Sequence, residues 1–507
     1  MFDGLMIGLQ SVASVQTISL IIVGTALGII VGVIPGFSTT MGLVLALPFT
    51  FSLGSMDGLA LMLGLMAGGL SGGLISAVLL GIPGTAAAVA TVFDGHPMSE
   101  NGEPGRALAI GTWASFLGGI IGALLLIFCM PLLSDAALAF GPWEFFSVIL
   151  LGLTIIASLA GRELIKGLIA GILGLLIGCV GPDPVFGIAR LSFNLPVLSN
   201  GIHYLAVLIG LFAYPQLVKA VEPEVLGRQF EMLNRDITFS NIQVLKDVWK
   251  NLRVLFVSSF IGAFFGALPG VGAASANIVA YDQAKKISPY KDKFGTGFAG
   301  GIIASESSNN ALGGGSLIPA MALGIPGDAM TAVMLGALVL HGIQPGPMLI
   351  FEQAPLVYGI FVAYIIANVV MLLIQLYGVR LFVQITKIPN HHLASSIFVV
   401  CTVGAFSIQN HYTDIWIACL VGIGGYIFIK NGFPLAPIIL GAILGPMAEV
   451  NFRRALITDP DWMLFFTRPL SGIFILCAIL SLAYPIYKNW KLSRLKDNPA
   501  EIQVPEE

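Results

Sequence analysis

The sequence predicts an all-α polytopic membrane protein with two homologous repeats, expected to be inverted, whose helices break or re-enter at Gly/Pro motifs. Three observations carry that expectation. Of 507 residues 56% are hydrophobic and only 10% charged, whereas soluble domains carry about 25% charged residues. Apolar runs at Ile18 to Ile34, Ala107 to Met130, Phe145 to Ala160, Leu164 to Val180, Tyr358 to Leu376 and Leu470 to Ile486 approach or reach the roughly 20 residues that span hydrocarbon, and the same length rule gives about ten to twelve membrane segments. Finally, the motifs repeat in order: Gly28-Ile-Ile-Val-Gly32-Val-Ile-Pro35-Gly36 returns as Gly262-Ala-Phe-Phe-Gly266-Ala-Leu-Pro269-Gly270, and Leu80-Gly81-Ile82-Pro83-Gly84 as Leu323-Gly324-Ile325-Pro326-Gly327. The offsets are 234 (262 − 28) and 243 (323 − 80). Transporters are commonly built from such repeats, with paired Gly/Pro-interrupted segments beside the site.

Taken in order, residues 1–217 form the first repeat. A helix runs to about Ile34, breaks at Pro35-Gly36 and resumes through Ser38-Thr39-Thr40 to near Leu53. Its start lacks a basic n-region and a small-residue cleavage site, so it reads as a retained helix. An apolar stretch Leu59 to Met66 leads into the glycine-rich Gly68 to Gly73, followed by a re-entrant pair hinged at Pro83-Gly84 and closed by Asp94-Gly95-His96-Pro97. Spans near 107–130, 145–160, 164–180 and 204–217 complete the repeat. A polar linker, 218–253, precedes the second repeat, 254–469, in which the broken helix, Ser/Asn cluster, glycine run and Gly-Ile-Pro-Gly hinge return in the same order and end in His341-Gly342-Ile-Gln-Pro345-Gly-Pro347. The segment around Pro269-Gly270 lies between two basic stretches and reads as a hairpin. A terminal helix, 470–487, supplies the extra crossing that an inverted repeat needs, and 488–507 is a tail. Lysines and arginines cluster in the linker (Lys219, Arg228, Arg235, Lys246, Lys250, Arg253), in a short loop (Lys285, Lys286, Lys291, Lys293) and in the tail (Lys488, Lys491, Arg494, Lys496). The positive-inside rule makes all three cytoplasmic.

The net charge of −3 is uninformative for a membrane protein, and no basic nucleic-acid face is present. Cys129, Cys179, Cys401, Cys419 and Cys477 have no paired spacing, so they predict neither a disulfide framework nor a metal site and read as small buried hydrophobes.

The chemistry concentrates between Gly297 and Ala329, which combines dense glycine, a Ser/Asn cluster and isolated carboxylates. Hydrocarbon offers no hydrogen-bond partner, so a broken helix at membrane depth survives only where protein or a watery cavity satisfies it. On that ground Gly313-Gly314-Gly315 and Gly324-Ile325-Pro326-Gly327 are expected to be breaks lining a cavity. Ser305, Glu306, Ser307, Ser308, Asn309, Asn310 and Asp328 place expensive polar groups there, which marks a pathway. Candidate substrate contacts are Pro35, Gly36, Ser38, Thr39, Thr40, Pro83, Gly84, Thr85, Pro269, Gly270, Ser307, Ser308, Asn309, Asn310, Pro326 and Gly327. Candidate coupling-cation ligands are Glu306, Asn309, Asn310 and Asp328. Lysine and arginine are absent from the repeated motifs, so half-helix N-termini and neutral donors must supply the positive field for an anion.

Each candidate has a structural alternative. Gly28, Gly32, Gly262 and Gly266 suit close helix packing; the Pro-Gly pairs suit a plain kink; Ser38 to Thr40 and Asp328 suit helix caps. Asn309 and Asn310 suit satisfaction of broken backbone, and Glu306 a protonated structural acid. His96 and His341 read as structural or interfacial, Arg162, Glu163 and Lys166 as solvated flanks, and Arg453 and Arg454 as orientation anchors.

These motifs resemble those of the large membrane subunit of the tripartite tricarboxylate transporters. The carriers are the two Gly-x3-Gly-x2-Pro-Gly motifs, Asp94-Gly95-His96-Pro97-Met98, Glu306-Ser307-Ser308-Asn309-Asn310, Leu323 to Gly327, His341 to Pro347, and Phe433-Pro434-Leu435-Ala436-Pro437 with Leu440-Gly441 and Leu444-Gly445-Pro446. The resemblance covers almost the whole chain. It implies secondary uptake of a small di- or tricarboxylate in the bacterial inner membrane, with a periplasmic solute-binding protein and a small four-helix membrane subunit as partners. No enzymatic activity is expected, and no cofactor beyond a coupling Na+ or H+. Paired hinges and hairpins favour cation-coupled alternating access, elevator-like rather than rocking. A passive carboxylate channel or uniporter is the rival reading. A remote one is an intramembrane serine protease, because Gly69-Leu70-Ser71-Gly72 spells G-x-S-G, although no histidine sits in a suitable segment.

Overall fold

Helices supply nearly all of the regular structure, as a chain in hydrocarbon requires if every backbone group is to be paired internally. The exception among the described residues is a short antiparallel pairing of Gly181-Pro182 with Ala189-Arg190. The structure, a computed structural model, describes residues 2–159, 164–184, 186–220, 222, 237–385 and 390–497. Arg162, Glu163, Arg228 and Arg235 lie outside the described residues, as do the side chains of Lys488, Lys491, Arg494 and Lys496. Five described helices are long and apolar enough to cross a membrane: Val15–Val33, Ser55–Leu80, Pro104–Ala137, Ala354–Phe382 and Tyr412–Lys430; a sixth candidate is the bent pair Asn241–Lys250 and Leu252–Ala267. The about ten to twelve segments expected from length alone are approached only by adding shorter apolar helices such as Pro142–Thr154, Leu164–Gly178 and Pro469–Ala483.

The chain packs as two compact units, each drawing on both sequence halves: 1–139 with 203–429, and 140–202 with 430–507. In the larger unit two long helices, Ser55–Leu80 and Ala299–Leu323, form the centre. Every residue of the second is buried, as is Gly58 through Val78 of the first.

Here the structure corrects the sequence reading. Gly313-Gly314-Gly315 is not a break; helix runs through it, as it does through the glycine-rich Gly68 to Gly73. The missing side chains admit neighbouring backbone instead. A Cβ on Gly315 would fall on the Ala263 carbonyl, on Gly314 against the Gly122 backbone, and on Gly72 against the Ile29 carbonyl. Continuous helix keeps every N–H and C=O paired while small residues let the axes close. Leu59 to Met66 is accordingly not a separate element, and Asp94 to Pro97 lies inside the helix Val89–Glu100 rather than closing a unit.

The helices end instead at Gly81 and Gly324, whose left-handed conformations (φ 68° and 71°) terminate them before Pro83 and Pro326. Other breaks separate Val15–Val33 from Thr39–Thr50 and Leu252–Ala267 from Ala273–Ile287, turning at Gly36 (φ 91°) and Gly270 (φ 82°). The helices on either side of the second of these pack against each other. Ser38 accepts the Met41 N–H at 3.1 Å and caps its helix.

Packing within the two halves is equivalent at the sequence offsets. Gly32 lies against the Gly69 carbonyl and the Gly73 nitrogen, as Gly266 lies against the Leu312 carbonyl and the Ser316 nitrogen; Gly84 lies against the Gly32 carbonyl, as Gly327 lies against the Gly266 carbonyl. The long helices then exchange: Pro104–Ala137 packs on Ala299–Leu323, and Ala354–Ile385 on Ser55–Leu80. Across the expected linker, Asn241–Lys250 buries Val244 and Val248 but exposes Ile242, Leu245 and Trp249, and it meets Leu252–Ala267 at 72°.

In the smaller unit, Gly174 and Gly178 of Leu164–Gly178 pack on the Ile438 and Ala442 carbonyls of Ala436–Thr458. Arg453, read as an orientation anchor, bridges Asp183 (2.8 Å) and Glu449 (2.7 Å), and Arg190 joins the same carboxylates. The Glu449 hydrogen bond holds the Arg190 guanidinium above its ordinary pKa. Lys166, read as a solvated flank, donates to the Asn431 carbonyl at 2.8 Å. Buried Glu144 accepts Arg468 Nε at 2.5 Å and the Gly141 N–H at 2.8 Å, while the guanidinium lies over Trp143. Arg468→Ala is therefore expected to cost about 2 kcal/mol, the typical worth of a hydrogen bond to a charged group, read as a lower melting temperature of the solubilised protein.

Among the described residues all five cysteines are free. Cys401 alone is buried and Cys477 is exposed, so the expectation of buried small hydrophobes holds for one of them.

Candidate functional site

The polar row Ser305 to Asn310 lies on the central helix Ala299–Leu323, and none of its residues has any exposure. Its side chains radiate to different neighbours because successive residues of a helix turn by a fixed angle. Glu306 accepts Thr91 Oγ1 at 2.5 Å and Ser115 Oγ at 2.8 Å, and Ser305 Oγ lies 2.9 Å from Thr91 Oγ1. Ser307 Oγ reaches the Leu255 carbonyl at 3.4 Å, and Asn309 Nδ2 donates to the Leu70 carbonyl at 2.7 Å. The Asn310 carbonyl accepts Tyr364 Oη at 3.2 Å.

Among the described residues several buried polar atoms nevertheless have no hydrogen-bond partner: Ser308 Oγ, Asn309 Oδ1, both polar side-chain atoms of Asn310, and Ser258 Oγ on the facing helix Leu252–Ala267. Buried polar groups are nearly always paired, and exceptions mark ordered water, an ion or a functional role. The alternative that Asn309 and Asn310 satisfy broken backbone fits neither: Asn309 bonds the Leu70 carbonyl inside the continuous helix Ser55–Leu80, and the helix around both asparagines is unbroken.

The four breaks meet in pairs. Gly84 lies against the Gly32 carbonyl, beside Pro35-Gly36, and the Gly270 N–H donates to the Gly327 carbonyl at 2.9 Å. A cross-link joins the pairs: Asn277, on the helix after Pro269-Gly270, donates from Nδ2 to the Ala87 carbonyl, after Pro83-Gly84, at 2.6 Å. Thr39 sits on Gly69 and Thr85 on Gly73, with Thr40 buried nearby on the same helix. Among the described residues no hydrogen bond ties the Ser305 to Asn310 row directly to Pro35-Gly36, Pro83-Gly84, Pro269-Gly270 or Pro326-Gly327. Asp328 caps Ala329–Leu340 in a capping box, accepting the Thr331 N–H at 2.8 Å.

Several participants were not singled out by the sequence reading. Thr91, Ser115 and Asn277 complete the contacts above. Gln375 Oε1 accepts Ser71 Oγ at 2.9 Å and Thr112 Oγ1 at 3.1 Å, so the G-x-S-G serine is held by an amide. Asn368 and Gln375 interrupt the apolar run Tyr358 to Leu376; an amide at membrane depth is itself a signal. His96 Nδ1 lies 3.1 Å from the Val78 carbonyl, a structural contact. At the 243-residue offset the counterparts of Glu306, Ser308, Asn309 and Asn310 are Leu63, Leu65, Met66 and Ala67, so the polar wall belongs to one half only.

The chain matches the model of the tripartite tricarboxylate transporter TctA family over residues 18–440. It is also similar to two Agrobacterium vitis proteins. One, an uncharacterized 52.8 kDa protein in the TAR-I ttuC' 3' region, is 32% identical over 491 residues, 95% of this chain and 96% of the relative. The other, an uncharacterized protein in the TAR-II ttuC' 3' region, is 36% identical over 226 residues, 44% of this chain and 93% of the relative. The family is one of transporters rather than enzymes, and a match running through both Gly/Pro-broken halves and the buried polar helix places this multi-pass membrane chain in the tripartite tricarboxylate transporter TctA family.

Proposed function

We propose that this chain is the permease subunit that imports a small di- or tricarboxylate across the bacterial inner membrane, coupled to Na+ or H+ by alternating access of the elevator kind. The observation that carries the reading is the fully buried amide and hydroxyl wall of Ser308, Asn309 and Asn310, whose polar atoms Ser308 Oγ, Asn309 Oδ1 and Asn310 Oδ1 and Nδ2 are unpaired among the described residues. Such groups are expensive in a membrane and persist where a solute passes. The anion is met by neutral donors and by the N-termini of the half-helices that start after the breaks, at Thr39, Ala273 and Ala329. Ser307 and the Pro-Gly peptides at 35–36, 83–84, 269–270 and 326–327, with Ser38, Thr40 and Thr85, complete the substrate route. Glu306, Asn309, Asn310 and Asp328 are the coupling ligands.

The matched glycine contacts at offsets of 234 and 243 support a duplicated architecture, which this reading takes as inverted. The basic linker and tail face the cytoplasm in this reading. Substrate arrives on a periplasmic binding protein, and a small four-helix subunit completes the membrane complex.

The test is radiolabelled citrate uptake into proteoliposomes holding this chain and its small membrane partner, with binding protein outside and imposed Na+ or pH gradients. Accumulation above equilibrium that follows one gradient is expected, whereas uptake that only equilibrates would favour a channel or uniporter. In the same assay Asn310→Ala combined with Ser308→Ala is expected to lower uptake by at least about tenfold, the equivalent of one hydrogen bond to a charged solute. Undiminished uptake at normal protein abundance would remove this wall from the route.

A further inference from the structure

Glu306 is buried without a cation. No lysine, arginine or histidine forms an ion pair with it among the described residues, and its carboxylate is held by Thr91 Oγ1 at 2.5 Å and Ser115 Oγ at 2.8 Å. Titratable groups on the packed elements have partners of their own, among them Asp328 with the Thr331 N–H, Asp282 with Lys286 and His96 with Glu100. Asp94 binds Tyr281 and the loop before the central helix, Arg106 pairs with Glu103 and Asp247, and Tyr364 binds the Asn310 carbonyl. The buried lengths of Leu252–Ala267 and Ser55–Leu80 carry no charged side chain beyond their first residues.

The hydroxyls form a chain with an end: Thr91 Oγ1 is 2.9 Å from Ser305 Oγ, which is 3.1 Å from the Ile302 carbonyl. A hydroxyl both donates and accepts, so this chain can run in either direction. With Glu306 ionised, Thr91 donates to Oε1 and Ser305 donates to Thr91. With Glu306 protonated, Oε1–H donates to Thr91, Thr91 turns its hydrogen to Ser305, and Ser305 turns to the Ile302 carbonyl; Ser115 donates to Oε2 in both states. One proton is added and every hydroxyl hydrogen keeps an acceptor.

We propose that Glu306 is the proton-binding site of this transporter, with Thr91 and Ser305 as a reversible hydroxyl chain that stabilises both its loaded and its unloaded state. A metal ion fits these atoms less well. The oxygens already stand at O–H···O separations, and a cation between them would have to push them apart. The assignment deepens the reading of the chain as a coupled transporter and rests on it for its transport consequence.

Two measurements test it separately. Infrared difference spectra of the solubilised wild-type protein between acid and alkaline pH are expected to show the C=O band of a buried protonated carboxyl. Glu306→Gln should remove that band, Thr91→Val should displace it, and Thr91→Ser should restore its position. A difference spectrum unchanged by Glu306→Gln would overturn the proposal. In proteoliposomes, Glu306→Gln at wild-type abundance and melting temperature should lose accumulation driven by a pH gradient; retained pH-driven accumulation would also overturn it. Wild-type protein that accumulates no carboxylate under any gradient would instead sink the transport reading, and the infrared band would still decide whether Glu306 binds a proton.

Discussion

Gly315→Val is expected to remove the protein from the membrane fraction, whereas Gly424→Val leaves its abundance near wild type. Both glycines lie inside helices, so propensity does not separate them. Their surroundings do: a Cβ on Gly315 would land on the Ala263 carbonyl, while one on Gly424 meets nothing within 4 Å. Overpacking a core typically costs about 1–3 kcal/mol, and occasionally more; here the opposing atom is backbone of a packed helix and cannot swing aside. A cost of about 3 kcal/mol or more would consume much of the few kcal/mol by which a folded chain exceeds its unfolded states. Fluorescence-detected size exclusion of a tagged protein reads the outcome. Equal abundance of the two variants would show that the close approach around Gly315 is not required.

Asp94→Ala is expected to lower stability by about 3 kcal/mol, because it strips several donors of one acceptor at once. Asp94 Oδ1 receives the N–H groups of Gly295, Gly297 and Phe298 at 2.9, 3.0 and 2.8 Å, and Oδ2 receives Tyr281 Oη at 2.7 Å. The carboxylate is fully buried and lies at the N-terminus of the central helix, where negative charge also suits the helix dipole. Asp94→Asn keeps the shape and one acceptor oxygen and should fall between Asp94→Ala and wild type. Tyr281→Phe removes a single bond and should cost about 1 kcal/mol. Melting temperatures of the solubilised variants check the order Tyr281→Phe, Asp94→Asn, Asp94→Ala; an Asp94→Ala protein as stable as wild type would mean that the loop before Ala299 is held by other contacts.

Asp94 also shows where one-dimensional reading stops. The motif Asp94-Gly95-His96-Pro97 looks like a turn because its residues favour turns. Yet Asp94 sits within the helix Val89–Glu100 and caps a helix that begins two hundred residues later. A capping partner that distant leaves no trace in local spacing. The glycine runs mislead for a related reason: Gly68 to Gly73 and Gly313 to Gly315 are equally compatible with flexible backbone and with a helix pressed against another helix. Only the presence of the Ile29, Ala263 and Gly122 backbones decides for packing.

Membrane character, the recurring Gly/Pro motifs and the concentration of polar chemistry in Ser305 to Asn310 are matters of residue type and order, so they stand in the chain itself. The breaks at the Gly/Pro motifs belong with them, because a glycine there (Gly36, Gly81, Gly270, Gly324) takes the left-handed conformation that turns the chain; proline alone does not decide it, since Pro97 and Pro319 lie inside helices. The assignment of those polar residues to partners did not. That Glu306 faces Thr91 and Ser115, that Asn310 is left without a side-chain partner, and that Ser71 is held by Gln375 follow from helices of opposite halves being packed together. A hydrogen bond depends on distances of a few tenths of an ångström between atoms far apart in sequence, and only the packed tertiary structure sets them.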